Sequence, residues 1–206
     1  VSFSLFLEKL EKEKGHRNAS IIMHCDPLDQ EGANLFAVSE HLGIKDNVFF
    51  SNERLDFDKM NVLYNISDVC LNISYAEGFG LTTLEAMMGG VPIIAAKTGG
   101  LTRQVIDHRD GTENGIGLDI EMKSLVGSQG VPYIYEDYVS NESVAEALLK
   151  MSQLSEDEKE KLSEKVHEYA HTQFSLPNTI AEWNNTLNNV LENWREKYER
   201  WEVISI

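Results

Sequence analysis

The chain has 206 residues, of which 42% are hydrophobic and 25% are charged, and its formal net charge is −16. The composition is typical of a soluble globular protein and argues against a disordered or fibrous one, and the length suits one large domain or a domain with an appendage. Because so acidic a surface repels phosphate backbones, we expect no nucleic-acid or anionic-membrane partner.

The first two thirds of the sequence alternate between helical patterns and short apolar runs. We predict strands at 19–24, 47–50, 68–74 and 91–96, and helices at 4–14, 34–42, 58–66 and 81–88. A strand–helix–strand rhythm requires right-handed crossovers between parallel strands. It therefore predicts an α/β fold, a Rossmann-like parallel sheet with helices on both faces.

The pattern changes after residue 110. Residues 110–130 hold five of the 14 glycines and predict a long loop that encloses one short strand at 116–120. From residue 140 the chain becomes helical and acidic, and we predict helices at 140–149, 155–172 and 178–201. These patterns divide the chain into a Rossmann-like domain, 1–139, and a helical segment, 140–206, that packs on it.

The last predicted helix carries an apolar stripe that includes all three tryptophans, Trp183, Trp194 and Trp201. Such a stripe predicts packing, either on this domain or on a part of the protein outside the sequence. The chain opens Val1-Ser2-Phe3 without a basic and apolar leader, and its two cysteines are too few for a disulfide scaffold. We therefore expect a cytoplasmic protein, of which this chain is a fragment.

In an open parallel sheet, ligands bind beyond the carboxyl ends of the strands. After the third predicted strand, Gly78 and Gly80 flank Phe79 directly before a helix. Glycines there let the backbone approach a ligand closely. The amides of Gly80, Leu81 and Thr82 then lie at a helix N-terminus, where they can bind a diphosphate.

Two carboxylates bracket these glycines. Glu77 lies at the mouth of the loop, and Glu85 follows about two helical turns later. Both can accept hydrogen bonds from hydroxyl groups. The segment therefore predicts a site for a ligand with a diphosphate and hydroxyl-rich ends.

The Glu-x7-Glu spacing within EGFGLTTLEAMMGGVPIIA resembles the donor-binding domain of retaining glycosyltransferases of the GT-B fold, in the family-four group (glycosyl transferases group 1). The segments HCDPLD, GANL, LGIKDNVFF, LYNISDVCLNIS and AAKTGGL extend the resemblance over residues 19–107. It implies that the donor is a nucleoside diphosphate sugar, GDP- or UDP-linked, and that no metal or resident cofactor takes part. The acceptor stays open between a glycan, a lipid and a protein.

The resemblance also implies roles for individual residues. Glu77 is the expected catalytic residue, which holds hydroxyls of the transferred sugar, and Glu85 accepts hydrogen bonds from the ribose. The loop of Gly78, Phe79, Gly80 and Leu81 gives its backbone to the sugar and the diphosphate. The remaining donor-binding residues are Thr82, Ser51, Asn52, Lys97, Gly99 and Gly100, with base contacts expected from residues 51–54.

The sequence departs from the family pattern in two ways. The basic Arg and Lys pair that neutralises the diphosphate, and the acceptor-binding N-terminal domain that is the expected partner, lie outside the sequence. Arg103 stands where a Glu is common after the Gly-Gly loop. We therefore expect the isolated chain to be inactive.

Other functions remain open. The chain could be a nucleotide-sugar-binding module without catalysis. The run from His167 and Glu168 to His171 matches the H-E-x-x-H zinc signature, although it has no clear third ligand. The two glycines also half-match the dinucleotide fingerprint, with Thr83 in place of the third glycine.

Overall fold

The computed structural model of the chain describes residues 1–197, without the side chains of residues 57, 195 and 197. Contacts divide the chain into two compact units, of which the first is Val1–His167 and the second begins at Glu168. In chain order the elements are α1 (Ser2–Lys14), β1 (Ile21–His24), α2 (Leu35–His41), a 3-10 turn (Lys45–Asn47), β2 (Val48–Ser51), α3 (Phe57–Asn65), β3 (Cys70–Asn72), α4 (Leu81–Met88), β4 (Ile93–Ala96), α5 (Leu101–Val105), β5 (Gly115–Leu118), β6 (Met122–Val126), β7 (Ile134–Tyr138), α6 (Asn141–Ser152), α7 (Glu156–Gln173) and α8 (Leu176–Lys197).

Five of the strands are parallel and form two sheets. β1 pairs with β2, and β4 lies between β3 and β5. All four residues of β4 are buried, which explains why its sequence is a continuous apolar run rather than an alternating one. The predicted α/β class, with parallel strands flanked by helices, is confirmed.

Helix α6 links two parts of the core of the first unit. Its Ala145 and Leu149 pack with Phe6 and Leu7 of α1 in one apolar cluster. Its Val144, Ala147 and Met151 pack with Ile94 and Leu118 in a second cluster, under the three-stranded sheet. Leu148 contacts both clusters. Because each fully buried aliphatic side chain contributes about 1.5–3 kcal/mol, α1 and α6 hold one face of the fold together.

Several helices begin where a polar residue caps them. The side chains of Asn34, Asp56 and Ser140 accept hydrogen bonds from backbone N–H groups at Ala37, Lys59 and Ser143, respectively. These caps satisfy donors that would otherwise lack an intrahelical partner. They fix the starts of α2, α3 and α6 within a residue or two of the predicted starts.

The glycine-rich region differs from its prediction. The short strand exists as β5, but residues 122–138 form an antiparallel hairpin, with Met122 opposite Tyr138, where a loop was predicted up to residue 130. The glycines Gly127 and Gly130 lie in the turn of this hairpin and not in its strands. The high glycine content of residues 110–130 therefore concealed β6. Helix α5 was also not predicted.

The second unit includes the helix that carries the tryptophan stripe. Within the described residues α8 exposes Ile180, Trp183 (62% exposed), Leu187 and Leu191. Trp201 lies outside the described residues. No helix in the described part of the chain combines the length and the apolar character that crossing a bilayer requires.

Candidate functional site

The loop of residues 75–80, which we call the Glu77 loop, connects β3 to the N-terminus of α4. Gly80 ends it with φ of 89°, and a Cβ at this position would lie 2.6 Å from Cδ2 of Leu101 and 2.7 Å from Oγ1 of Thr83. Both the left-handed backbone and the crowding require glycine here. Because Leu81 and Thr82 are exposed, the first turn of α4 opens its free amides to solvent.

A second glycine loop, residues 97–100, packs against the first. A Cβ on Gly99 would lie 1.8 Å from the carbonyl oxygen of Glu77, and one on Gly100 would lie 2.6 Å from Cα of Phe79. The N–H of Gly100 donates to the carbonyl oxygen of Gly78 at 3.2 Å. The structure therefore brings the predicted glycines of both loops together, backbone against backbone, around a half-buried Glu77.

Gln104 of α5 fixes the Glu77 loop from inside, and no sequence pattern singled it out. Its fully buried side chain donates from Nε2 to the carbonyl oxygens of Phe79 (2.6 Å) and Gly80 (3.0 Å). Its Oε1 accepts from Oγ1 of Thr83 at 2.6 Å. The burial of Gln104 is known only from the structure, so the sequence offered no signal for this residue. Buried amides are kept only where they are hydrogen-bonded, so this network specifies one loop conformation.

Glu85 lies on α4 beside an open cavity of about 530 Å³. The cavity is lined, besides Glu85, by Arg54, Leu55, Asp56, Lys59 and Met60. The hydroxyl of Tyr64 donates to Oε2 of Glu85 at 2.8 Å. Burial, together with this hydrogen bond and the negative charge of Glu85, raises the pKa of Tyr64 above its ordinary value. Tyr64 therefore remains a donor at neutral pH and orients the carboxylate.

Ser51 is the last residue of β2 and Asn52 follows it, and neither of them lines the cavity. Ser51 shares a hydrogen bond with Nδ1 of His24, at 3.0 Å, at the end of the neighbouring strand β1. Arg54, within the predicted base-contact range of residues 51–54, lines the cavity. Lys59 of α3 also lines it and was not predicted.

Lys97, which was predicted to bind the donor, and Arg103, whose role the sequence left open, both make local contacts. Nζ of Lys97 lies 2.9 Å from Oδ1 of Asp119, and the guanidinium of Arg103 lies 3.3 Å from Nε2 of His108. The H-E-x-x-H run gains no support, because no group of three His, Cys, Asp or Glu side chains in residues 1–197 is arranged to hold a metal ion.

The sequence that forms this region matches a known protein family. The family model described as "Glycosyl transferases group 1" matches residues 5–117, more than half of the chain. The chain belongs to the glycosyl transferases group 1 family. The match includes both glycine loops, Gln104 and the cavity beside Glu85, and it ends before β6.

The chain is similar in sequence or in fold to known proteins. A D-inositol 3-phosphate glycosyltransferase from Catenulispora acidiphila is 38% identical over 82 residues, which cover 40% of this chain and 19% of that relative. The C-terminal domain of a glycosyl transferase group 1 protein from Francisella tularensis has a TM-score of 0.60 at 18% identity, covering 85% of this chain and 78% of that one. A protein from Anabaena, solved with UDP and glucose, has a TM-score of 0.57 at 16% identity, covering 89% of this chain and 52% of that one.

These likenesses show the fold, which is that of GT-B glycosyltransferases. The alignment to the curated relative spans about a fifth of that protein, and this chain covers about half of the Anabaena protein.

Proposed function

We propose that the chain binds a nucleoside diphosphate sugar and supplies the donor-binding half of a retaining glycosyltransferase. In this proposal residues 1–139 bind the donor, helix α6 packs on them, and a further domain binds the acceptor. The observation that carries the proposal is the packing of the two glycine loops, which places the open N-terminus of α4 beside Glu77. Two helical turns further along α4, Glu85 lies beside a cavity. The UDP and glucose in the Anabaena structure support the ligand class.

The first turn of α4 is assigned to the diphosphate. Its free N–H groups and the positive end of the helix dipole favour an anion even in a chain with a net charge of −16, because the interaction is local. Arg54 and Lys59 add two positive charges at the neighbouring cavity. Together they stabilise the charge that develops on the leaving diphosphate.

The two glutamates are assigned to the two ends of the donor. Glu77 accepts hydrogen bonds from sugar hydroxyls and orients the anomeric carbon, and Glu85, held by Tyr64, accepts from the ribose. During transfer the bond between the anomeric carbon and the diphosphate breaks, and the diphosphate leaves with the electron pair. The acceptor oxygen bonds to the same carbon, and its proton passes to the leaving diphosphate. Retention of configuration follows from the motif resemblance.

The test is calorimetric titration of the chain with UDP, GDP and ADP, each alone and as its glucose or mannose conjugate. We expect one nucleotide to bind, Glu85→Ala to weaken it, and Glu77→Ala to remove only the gain in affinity that the sugar adds. Glu164→Ala, an exposed glutamate of α7, is the matched control. If no nucleotide binds at millimolar concentration, or if Glu85→Ala binds like the unaltered chain, the assignment is wrong.

Transfer itself is measured on a protein that contains this chain and an acceptor-binding domain, with the anomeric configuration of the product read by NMR. An inverted product contradicts retention. Donor binding without any transfer or hydrolysis indicates a nucleotide-sugar-binding module instead.

A further inference from the structure

The β6–β7 hairpin, residues 122–138, contacts the Glu77 loop through its second strand. The N–H of Asp137 donates to the carbonyl oxygen of Tyr75 at 2.7 Å. The ring of Tyr138 lies against the ring of Tyr75, with centroids 4.3 Å apart and planes inclined by 31°. A backbone hydrogen bond and a ring contact therefore hold the first residue of the Glu77 loop.

The same strand reaches the second glycine loop. Thr98, a buried residue of that loop, lies close enough to the carboxylate of Asp137 to help hold the pKa of Asp137 below its usual range. On its other side this carboxylate lies 3.3 Å from Nζ of Lys123, which is directly opposite Asp137 in β6. Asp137 is thus connected to both loops that surround Glu77, and Lys123 keeps its charge paired.

The direction of the Asp137 N–H has a structural cause. In an antiparallel pair, residues alternate between those that hydrogen-bond to the partner strand and those whose polar groups face outward. The N–H of Asp137 faces away from β6 and meets Tyr75. At Asp137 the Glu77 loop therefore covers the outer edge of the hairpin. This pairs a backbone N–H that would otherwise be unpaired on an edge strand.

We propose that the β6–β7 hairpin is a positioning element, which fixes the Glu77 loop in the conformation that receives the sugar of the donor. The hairpin lies beyond the part of the chain that the family model matches, so the family assignment gives it no role. The inference rests on the proposed function for its ligand, but the contact with the loop stands independently. Asp137 and Tyr138 are positioning residues that act through Tyr75, two residues before Glu77.

The consequence is that the hairpin affects binding of the sugar and binding of the nucleotide differently. The hairpin contacts the beginning of the Glu77 loop, whereas Glu85 and the cavity lie beyond the loop on α3 and α4 and have none of these contacts. Loss of the hairpin contacts frees the beginning of the loop around Glu77. The end of the loop beside α4, where the diphosphate is assigned, is still held by Gln104 and Gly100. Affinity for the sugar conjugate falls, and affinity for the bare nucleoside diphosphate does not.

The test uses the full chain and three variants. Tyr138→Ala removes the ring contact, Tyr138→Phe keeps it, and Tyr133→Ala removes a ring that is 67% exposed elsewhere on the hairpin. Hydrogen exchange of peptides spanning residues 75–81 is followed in the free chain, and the dissociation constants of UDP and UDP-glucose are measured by calorimetry. GDP and GDP-mannose replace them if the chain prefers guanosine.

We expect Tyr138→Ala to speed exchange in residues 75–81 and to weaken the sugar conjugate about three- to tenfold, the range for loss of one aromatic pair. Tyr138→Phe and Tyr133→Ala should match the unaltered chain in both measurements. If hydrogen exchange of residues 75–81 is unchanged in Tyr138→Ala, the proposal is overturned. If Tyr138→Ala weakens binding of the bare nucleotide and of the sugar conjugate equally, the expected difference between the two ligands is overturned. Faster exchange in a chain that binds no nucleotide supports the positioning of the loop and rejects the proposed function alone.

Discussion

Gly99 and Glu77 are in backbone contact, with no room for a side chain between them. A Cβ on Gly99 would lie 1.8 Å from the carbonyl oxygen of Glu77, and the φ of Gly99 is +47°. The two loops can approach each other this closely only because residue 99 of the second loop is a glycine. The position of Glu77 therefore depends on a residue 22 positions later in the chain.

Gly99→Ala should displace the Glu77 loop. The clash is with backbone rather than with a flexible side chain, and the left-handed φ adds strain, so we expect a loss of about 1–3 kcal/mol in the free energy of unfolding. Affinity for a nucleotide sugar should fall as well. Urea unfolding measures the first effect. Gly130→Ala is the control, because nothing lies within 4 Å of a Cβ there and its φ is not positive. Equal stability of the two variants would contradict the contact.

Gln104→Leu should be destabilising although it places an apolar side chain at a fully buried position. The change leaves the carbonyl oxygens of Phe79 and Gly80 without their side-chain donor and should cost about 1–3 kcal/mol. Thermal or urea unfolding measures it, with exposed Gln30→Leu as the control. If Gln104→Leu is as stable as the control, the network does not specify the loop.

Tyr64→Phe should weaken nucleotide binding without altering the fold. It removes the hydroxyl that donates to Glu85, and one such hydrogen bond contributes about 0.5–1.5 kcal/mol, or roughly two- to tenfold in affinity. Calorimetry with the preferred nucleoside diphosphate measures the change, and Tyr133→Phe is the matched control. Tyr64→Phe combined with Glu85→Ala should be no weaker than Glu85→Ala alone. An additive effect would mean that Tyr64 does not act through Glu85.

The pair of Asp107 and Arg109 predicts a pH dependence of stability. Asp107 has a side chain that is 1% exposed and lies 2.8 Å from the guanidinium of Arg109. The hydrogen bonds from Arg109 hold the pKa of Asp107 below its usual range. The pKa of Asp107 is lower in the folded chain than in the unfolded chain, where it is about 3.9. The ion pair therefore contributes fully to the free energy of unfolding at pH values above the unfolded pKa. It is lost as the pH falls through the folded pKa.

We therefore expect Asp107→Asn to be less stable than the unaltered chain at pH 7, by about 1–3 kcal/mol. The difference between the two should shrink between pH 5 and pH 3. Urea unfolding at several pH values measures both chains. A difference that stays constant down to pH 3 would show that the charge of Asp107 contributes nothing.

Trp183 should be replaceable without loss of stability. Its side chain is 62% exposed on α8, and substitutions at exposed positions usually change the free energy of unfolding by less than about 0.5 kcal/mol. Trp183→Ala is compared by urea unfolding with Leu7→Ala, at a fully buried position of α1, which should cost about 2–5 kcal/mol. A large loss in Trp183→Ala would mean that α8 packs through this face in solution.

Much of this protein follows from local sequence. The order of strands and helices from α1 to β4, the α/β class and the glycine-flanked Phe79 before α4 all depend on patterns within about ten residues, where periodicity, caps and turn residues act. The same local pattern carried the resemblance to group 1 glycosyltransferases, which the family match confirms. The roles given to individual site residues remain predictions.

The tertiary structure decided what surrounds those residues. Gln104 reaches Phe79 across 25 positions, and Asp137 reaches Tyr75 across 62. Such contacts depend on the register of parallel strands and on where the chain turns back, and neither leaves a periodic trace in the sequence. The hairpin was hidden for a related reason, since its glycines belong to the turn and neither of its strands has the fully buried apolar run that marks β4. The sequence by itself determined the α/β class and the family. The packing of two loops and a hairpin, which needs the folded chain, decided how Glu77 is held.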